Sequence, residues 1–140
     1  MLLNEKAQFD LAQRLRIKPV PISEVFTFLS GLYFRGKVAY ARAFARPPAG
    51  VPGAFVITTD RGLIDLETPI GRKDLEAFSK VNINENEERY RRPLLREAKR
   101  WSQTIGQDCE VILLGSVATA KYVDTLLQVF GERLLFPSEF

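Results

Sequence analysis

The run Cys109-Glu110-Val111-Ile112-Leu113-Leu114-Gly115-Ser116, continued by Val117 to Phe130, Gly131 and Leu134-Leu135-Phe136, decides the fold class. Cys109 to Leu114 reads as a strand and Gly115-Ser116 as a tight turn. Val117 to Phe130 carries Val123, Leu126, Leu127 and Phe130 on one helical stripe, Gly131 closes that helix, and Leu134-Leu135-Phe136 is a last short strand. Strand, helix and strand at these lengths form a crossover unit, which makes the two strands parallel.

Upstream, Gly53 to Thr59 holds Ala54-Phe55-Val56-Ile57-Thr58, a continuous apolar run of strand length bounded by turn residues, as expected for a strand covered on both faces. Asp60-Arg61-Gly62 is a turn signal, Leu63 to Leu66 a further short extended piece, and Thr68-Pro69-Ile70-Gly71 a break. The N-terminal third is helical. Ala7, Leu11 and Leu15 give one stripe over Asn4 to Arg16, stopped by Pro19-Val20-Pro21. Ser23 is placed to cap a second helix, which meets Gly31 and restarts before Phe34, Val38, Ala41 and Ala45. A short helix over Lys73 to Lys80 buries Leu75 and Phe78, and Asn82 to Glu87 reads as a polar loop. Tyr90, Leu94, Ala98, Trp101 and Ile105 then mark the longest helix, with Pro93 suited to its first turn and Gly106 to its end. The expectation is one α/β domain over residues 1–140, of three-layer type, with a short, mainly parallel central sheet and a helical N-terminal third.

The chain of 140 residues is 46% hydrophobic and 26% charged, a globular composition long enough for one core without disulfides. No apolar run approaches the ~20 residues of a membrane helix, and Met1 to Lys6 lacks the pattern of a signal peptide, so a cytoplasmic protein with no membrane partner is expected. Cys109 is the single cysteine and there is no histidine. That excludes Ser-His-Asp and Cys-His triads and histidine-ligated metals, no metal site is expected, and whether a cofactor is used is not written in the sequence. The net charge of +3 is compatible with an anionic partner and equally with an ordinary solvated surface.

Ligands of open parallel sheets collect beyond the carboxyl ends of the strands, which directs attention to Thr58 to Gly62, to Gly115-Ser116 and to Pro137-Ser138-Glu139. Gly115 permits close backbone approach, and Ser116 opens a helix whose free amides favour an anion; the plainer alternative is that Ser116 caps its own helix. Asp60 is the candidate general base and Arg61 the candidate anion holder, with Thr59 and Gly62 beside them, unless Asp-Arg-Gly serves only as a turn. Lys121 and Tyr122, one to two turns into the last helix, are candidates to point back toward the same crevice, with Tyr122 equally suited to be a core aromatic whose hydroxyl reaches the surface. Arg35, Arg42 and Arg46 form a basic stripe at offsets of seven and four, with Tyr33 nearby. It suits either a phosphate backbone or a solvated helix face. The concentration Arg89, Arg91, Arg92, Arg96, Lys99 and Arg100 is offset by Glu87, Glu88 and Glu97.

The strings Gly31-Leu32-Tyr33-Phe34-Arg35-Gly36-Lys37-Val38-Ala39-Tyr40-Ala41-Arg42, Val56-Ile57-Thr58-Thr59-Asp60-Arg61-Gly62-Leu63, Leu113-Leu114-Gly115-Ser116-Val117-Ala118-Thr119-Ala120-Lys121-Tyr122-Val123 and Leu135-Phe136-Pro137 resemble a family of uncharacterised bacterial proteins. More distantly the pattern resembles small α/β domains associated with nucleoside or nucleic-acid modification, some with a uracil-DNA-glycosylase-like fold. The resemblance implies that these segments meet in one crevice around Tyr33, Arg35, Asp60, Arg61, Gly62, Gly115, Ser116, Lys121 and Tyr122. It also implies a Gly- and Arg-rich continuation beyond Phe140. The chain departs from the glycosylase pattern in lacking histidine and a water-activating motif.

Two functional expectations follow. One is a domain binding a phosphorylated or nucleobase-containing ligand at the strand ends, as a hydrolase or transferase. The other is a noncatalytic nucleic-acid-binding or protein-interaction domain using the basic helix face. Oligomeric state is not written in the sequence.

Overall fold

The structure, a computed structural model, describes residues 10–30, 32–81, 86–114 and 123–137. Asp10–Ile17 form α1 and bury Leu11, Ala12 and Leu15, the stripe read from the sequence; Leu3 and Ala7 lie outside the described residues. Val20–Pro21, expected only to stop a helix, is a short strand, β1. Proline's fixed φ suits extended backbone, and its missing N–H is tolerated in a strand paired on one side. Ile22–Ser30 form α2 and Leu32–Phe44 form α3, so the helical stretch breaks at position 31 as its glycine predicts. Ser23 does not cap α2. It lies inside the helix, 5% exposed, where its Oγ accepts a hydrogen bond from Arg42 of α3 at 3.3 Å and ties the two helices together.

Phe55–Ile57 form β2, Leu63–Asp65 β3 and Pro69–Ile70 β4, followed by α4 over Arg72–Ser79. The longest helix, α5, spans Glu88–Ile105. Tyr90, Leu94 and Ala98 are fully buried along it, and Gly106 ends it at φ 84°. Pro93 is the sixth residue of α5, one turn later than the sequence suggested. Its ring removes the helical bond to the carbonyl of Arg89, an exposed residue, so water can serve that oxygen. Val111–Ile112 (β5), Val123–Phe130 (α6), a 3₁₀ turn over Gly131–Arg133 and Leu134–Leu135 (β6) complete the chain.

The protein mixes helices with short sheets, but the described strands do not join into one mainly parallel sheet. They form three two-stranded ladders: β1 with β4 antiparallel, β2 with β3 antiparallel, and β5 with β6 parallel. The parallel pair is the crossover expected from the C-terminal run, in register Val111↔Leu134 and Ile112↔Leu135. The β2–β3 pair is antiparallel because five residues, Thr58 to Gly62, connect the strands, far fewer than the dozen or so a parallel crossover needs.

Two apolar clusters flank this hairpin. Leu11, Leu15, Ile22, Val25, Leu75 and Phe78 centre the first, and Val56 with its cross-strand partner Ile64 faces it. Tyr90, Leu94, Leu113, Leu126, Phe130 and Leu134 centre the second, against which Ile57 and its partner Leu63 pack. Phe55, on the same face as Ile57, meets the Trp101 ring of α5 at 5.0 Å. The β2 run is therefore apolar on both faces because each face of the hairpin has its own cluster.

Candidate nucleic-acid interface

The hairpin turn comes first, since the sequence places its chemistry there. Thr58 is 1% exposed and fully satisfied: its N–H donates to the Gly62 carbonyl at 2.8 Å, its hydroxyl donates to the same oxygen at 2.9 Å, and its Oγ1 accepts the Arg61 N–H at 2.9 Å. Gly62 has φ 66°, and a Cβ there would meet the backbone of Pro93 and Leu94 at 2.5 to 2.9 Å. Only glycine suits both the left-handed backbone and the close approach of α5.

The neighbouring side chains clasp α4. Thr59 Oγ1 donates to the Phe78 carbonyl at 2.7 Å. Arg61 forms an ion pair with Asp74 and lies 5.0 Å from the Phe78 ring centre. Asp74 also accepts the Gly71 N–H at 2.7 Å, closing the N-terminus of α4. The Gly71 hydrogen bond above all holds the Asp74 carboxyl below its usual range; burial opposes it, and the hydrogen bond and charge of Arg61 lower it further. The guanidinium assigned to an incoming anion thus already has a carboxylate. Asp60 differs: its Oδ1 is buried and has no hydrogen-bond partner among the described residues.

Gly115, Ser116, Lys121 and Tyr122 lie outside the described residues, as does the side chain of Tyr33. Arg35 lies on α3, and no described hydrogen bond or ion pair links it to the hairpin turn.

On α3, residues 35, 36, 39, 42, 43 and 46 are exposed while Val38 is buried, which orients the helix and the turn that continues it. At about 100° per residue, Arg35 and Arg42 stand along one side of the exposed face of α3 and Tyr40 and Phe44 along the other, while Arg46, also exposed, follows two residues past the end of the helix. Tyr40 and Phe44 pack ring to ring at 4.8 Å, and Phe44 is 61% exposed. Gly36, Ala39 and Ala43 lie between, and a Cβ on Gly36 would have nothing within 4 Å. Arg42 donates to Glu67 at 2.8 Å yet keeps 56% of its side chain exposed; Arg46 donates to the Ala45 carbonyl at 2.8 Å. Lys37 reaches over the Phe34 ring at 5.6 Å, and burial lowers its pKa.

The signal missed in the sequence is the absence of acid here. From Val25 to Thr59 the chain has Arg35, Lys37, Arg42 and Arg46 and no Asp or Glu; removing these 4 from the 20 basic residues leaves 16 against 17 acidic ones. The segment is +4 and the remainder −1. The stretch Glu87 to Arg100 is also basic, with six basic residues against three acidic, but there acids are interleaved: Arg89 pairs with Glu87, Arg92 with Glu88, and Arg96 and Arg100 with Glu97.

A concavity of about 670 Å³ opens between the end of α5 and the 3₁₀ turn, with Asp108, Glu110 and Glu132 in its lining. Arg133 closes one side, donating to the Gly106 carbonyl at 2.8 Å and the Ser102 carbonyl at 3.2 Å while stacked 5.5 Å from the Phe130 ring centre. Among the described residues no helix is long and apolar enough to cross a membrane.

Compared with known proteins, the chain matches no protein-family model, no curated protein and no solved structure.

Proposed function

We propose that the domain is a noncatalytic nucleic-acid-binding module whose contact surface is the exposed face of α3. The supporting observation is the distribution of charge: the stretch around α3 carries +4 with no acidic residue among its own, and Arg35, Arg42 and Arg46 are all exposed. A polyanion is the ligand that such a surface attracts, through neutralisation of phosphates and release of their counterions. The hairpin turn favours a binding module over an enzyme, because Thr58 is engaged in closing the turn itself and Thr59, Arg61 and Gly62 in holding α4 and α5 to it. Fluorescence anisotropy with a labelled oligonucleotide at 50 and 200 mM salt tests the proposal. Binding should weaken steeply with salt and be lost in Arg35→Ala/Arg46→Ala, while Asp60→Asn leaves it unchanged. Salt-independent binding, or binding indifferent to the double substitution, would sink the reading.

One observation favours a second reading. The buried Asp60 Oδ1 without a partner invites a donor group, such as the amide or amine of a nucleobase-containing ligand, with Asp60 as general base of a hydrolase or transferase. A thermal-shift screen against nucleosides, nucleotides and sugar phosphates decides it: stabilisation lost in Asp60→Asn supports the site, and no shift with any of them removes it.

A further inference from the structure

The two sides of the α3 face differ in chemistry, and the difference selects among nucleic acids. Guanidinium groups at 35 and 42 line one side, with that of Arg46 just past the end of the helix, and the Tyr40–Phe44 ring pair lines the other. The floor between them is Gly36, Ala39 and Ala43, whose small side chains let a ligand lie against the helix backbone. A duplex offers only phosphates to such a surface, because its bases are stacked inside. A single strand offers phosphates along one edge and unstacked bases along the other, which matches arginines beside an exposed aromatic ring.

We infer that the α3 face binds single-stranded nucleic acid in preference to duplex, with Arg35, Arg42 and Arg46 along the phosphates and Phe44 as the platform on which a base stacks. This rests on the binding-module reading above and narrows its ligand. Phe44 is the decisive residue because it is a large aromatic side chain 61% exposed on this face, and its only described ring partner is Tyr40. Charge complementarity commits the face to a polyanion: Glu67 is the one carboxylate the described structure brings to these arginines. From Arg35 to Phe44 the face is about 14 Å long, with Arg46 just beyond it, enough for a few nucleotides.

The experiment measures anisotropy of a labelled oligothymidylate, an oligouridylate and a mixed-sequence duplex of equal length, against the parent protein and against Phe44→Ala, Phe44→Trp, Ala43→Glu and Arg35→Ala/Arg46→Ala. Circular dichroism melts show that each variant is folded, as expected for exposed positions. The parent should bind the single strands at least about tenfold more tightly than the duplex, with a log-log salt slope near −2 for three phosphate contacts. Phe44→Ala should lose about tenfold on single strands and little on duplex, since one stacked base contributes about that factor; Phe44→Trp should restore it, and Ala43→Glu should abolish binding to both. Equal, salt-sensitive affinity for single strand and duplex that depends on the arginines but ignores Phe44 would overturn the single-strand inference and leave the binding module standing. No binding to any oligonucleotide at 50 mM salt would overturn both.

Discussion

A Cβ added to Gly62 would stand 2.5 Å from the carbonyl oxygen of Pro93, inside the backbone of α5. The hairpin turn and the long helix therefore touch main chain to main chain, at the seam where the second apolar cluster begins. Backbone cannot yield to a methyl group as a flexible side chain can, and φ 66° adds left-handed strain for any L side chain. Gly62→Ala should lower unfolding stability by more than about 2 kcal/mol, read from urea denaturation, whereas Gly36→Ala serves as the contrasting case below. A Gly62→Ala variant as stable as the parent would show that the turn does not sit against α5.

Much of the fold was legible where a local rule decides it. The connection from Leu114 to Leu134 is long enough for a crossover, and β5 and β6 are parallel. The stripe Tyr90, Leu94, Ala98 is buried as its spacing requires. The direction of β2 was not legible, because an apolar run shows only that both faces are covered. Here the covers are two separate clusters on the faces of one hairpin, and periodicity cannot tell that from a central parallel strand. Asp60-Arg61-Gly62 was legible as a turn, but the partner of Arg61 is Asp74, thirteen residues on, a pairing that no local pattern announces. On α3 the arginine spacing was visible, while the meaning of its surroundings emerged only once Val38 was seen to face inward and Phe44 outward.

The Arg61–Asp74 pair gives a pH dependence of defined sign. The folded carboxyl lies below the ordinary 3.8, so its contribution to stability is fully present above about that pH and is lost as the pH falls through the lower, folded value. Arg61 and Asp74 both keep part of their side chains in water, which limits the effect. Arg61→Gln should cost roughly 0.5–1 kcal/mol at pH 7, combining the ion pair with the contact to Phe78. Melting curves from pH 7 to pH 2 should show the gap between parent and variant narrowing below about pH 4 to the part left by the Phe78 contact, which does not titrate; a constant difference across that range would mean that the pair contributes through packing alone.

Gly36 occupies the middle of α3 with nothing near its missing side chain and no positive φ. Glycine there keeps the unfolded chain freer without any steric need in the folded state. Gly36→Ala should therefore stabilise the protein by about 0.5–1 kcal/mol, visible as a rise in Tm. Destabilisation would mean that the open space over this face is filled in solution.

Arg133 reaches back from the 3₁₀ turn to the end of α5. It donates to the carbonyls of Gly106 at 2.8 Å, Ser102 at 3.2 Å and Phe130 at 3.4 Å, and to the Ser102 hydroxyl. These are acceptors at helix ends, where carbonyls have no intrahelical donor, and the planar guanidinium serves several of them at once while lying over Phe130. Arg133→Ala should cost about 2 kcal/mol, since several carbonyls lose a charged donor together and only the exposed ones gain water in exchange. Lysine has a single ammonium and cannot span Ser102 and Gly106 from one position, so Arg133→Lys should recover less than half of the loss. Hydrogen exchange separates this from general weakening: amides in the last turn of α5 should lose protection in both variants, while those of α1 change only in proportion to global stability. Full rescue by lysine would reduce the role of Arg133 to its charge.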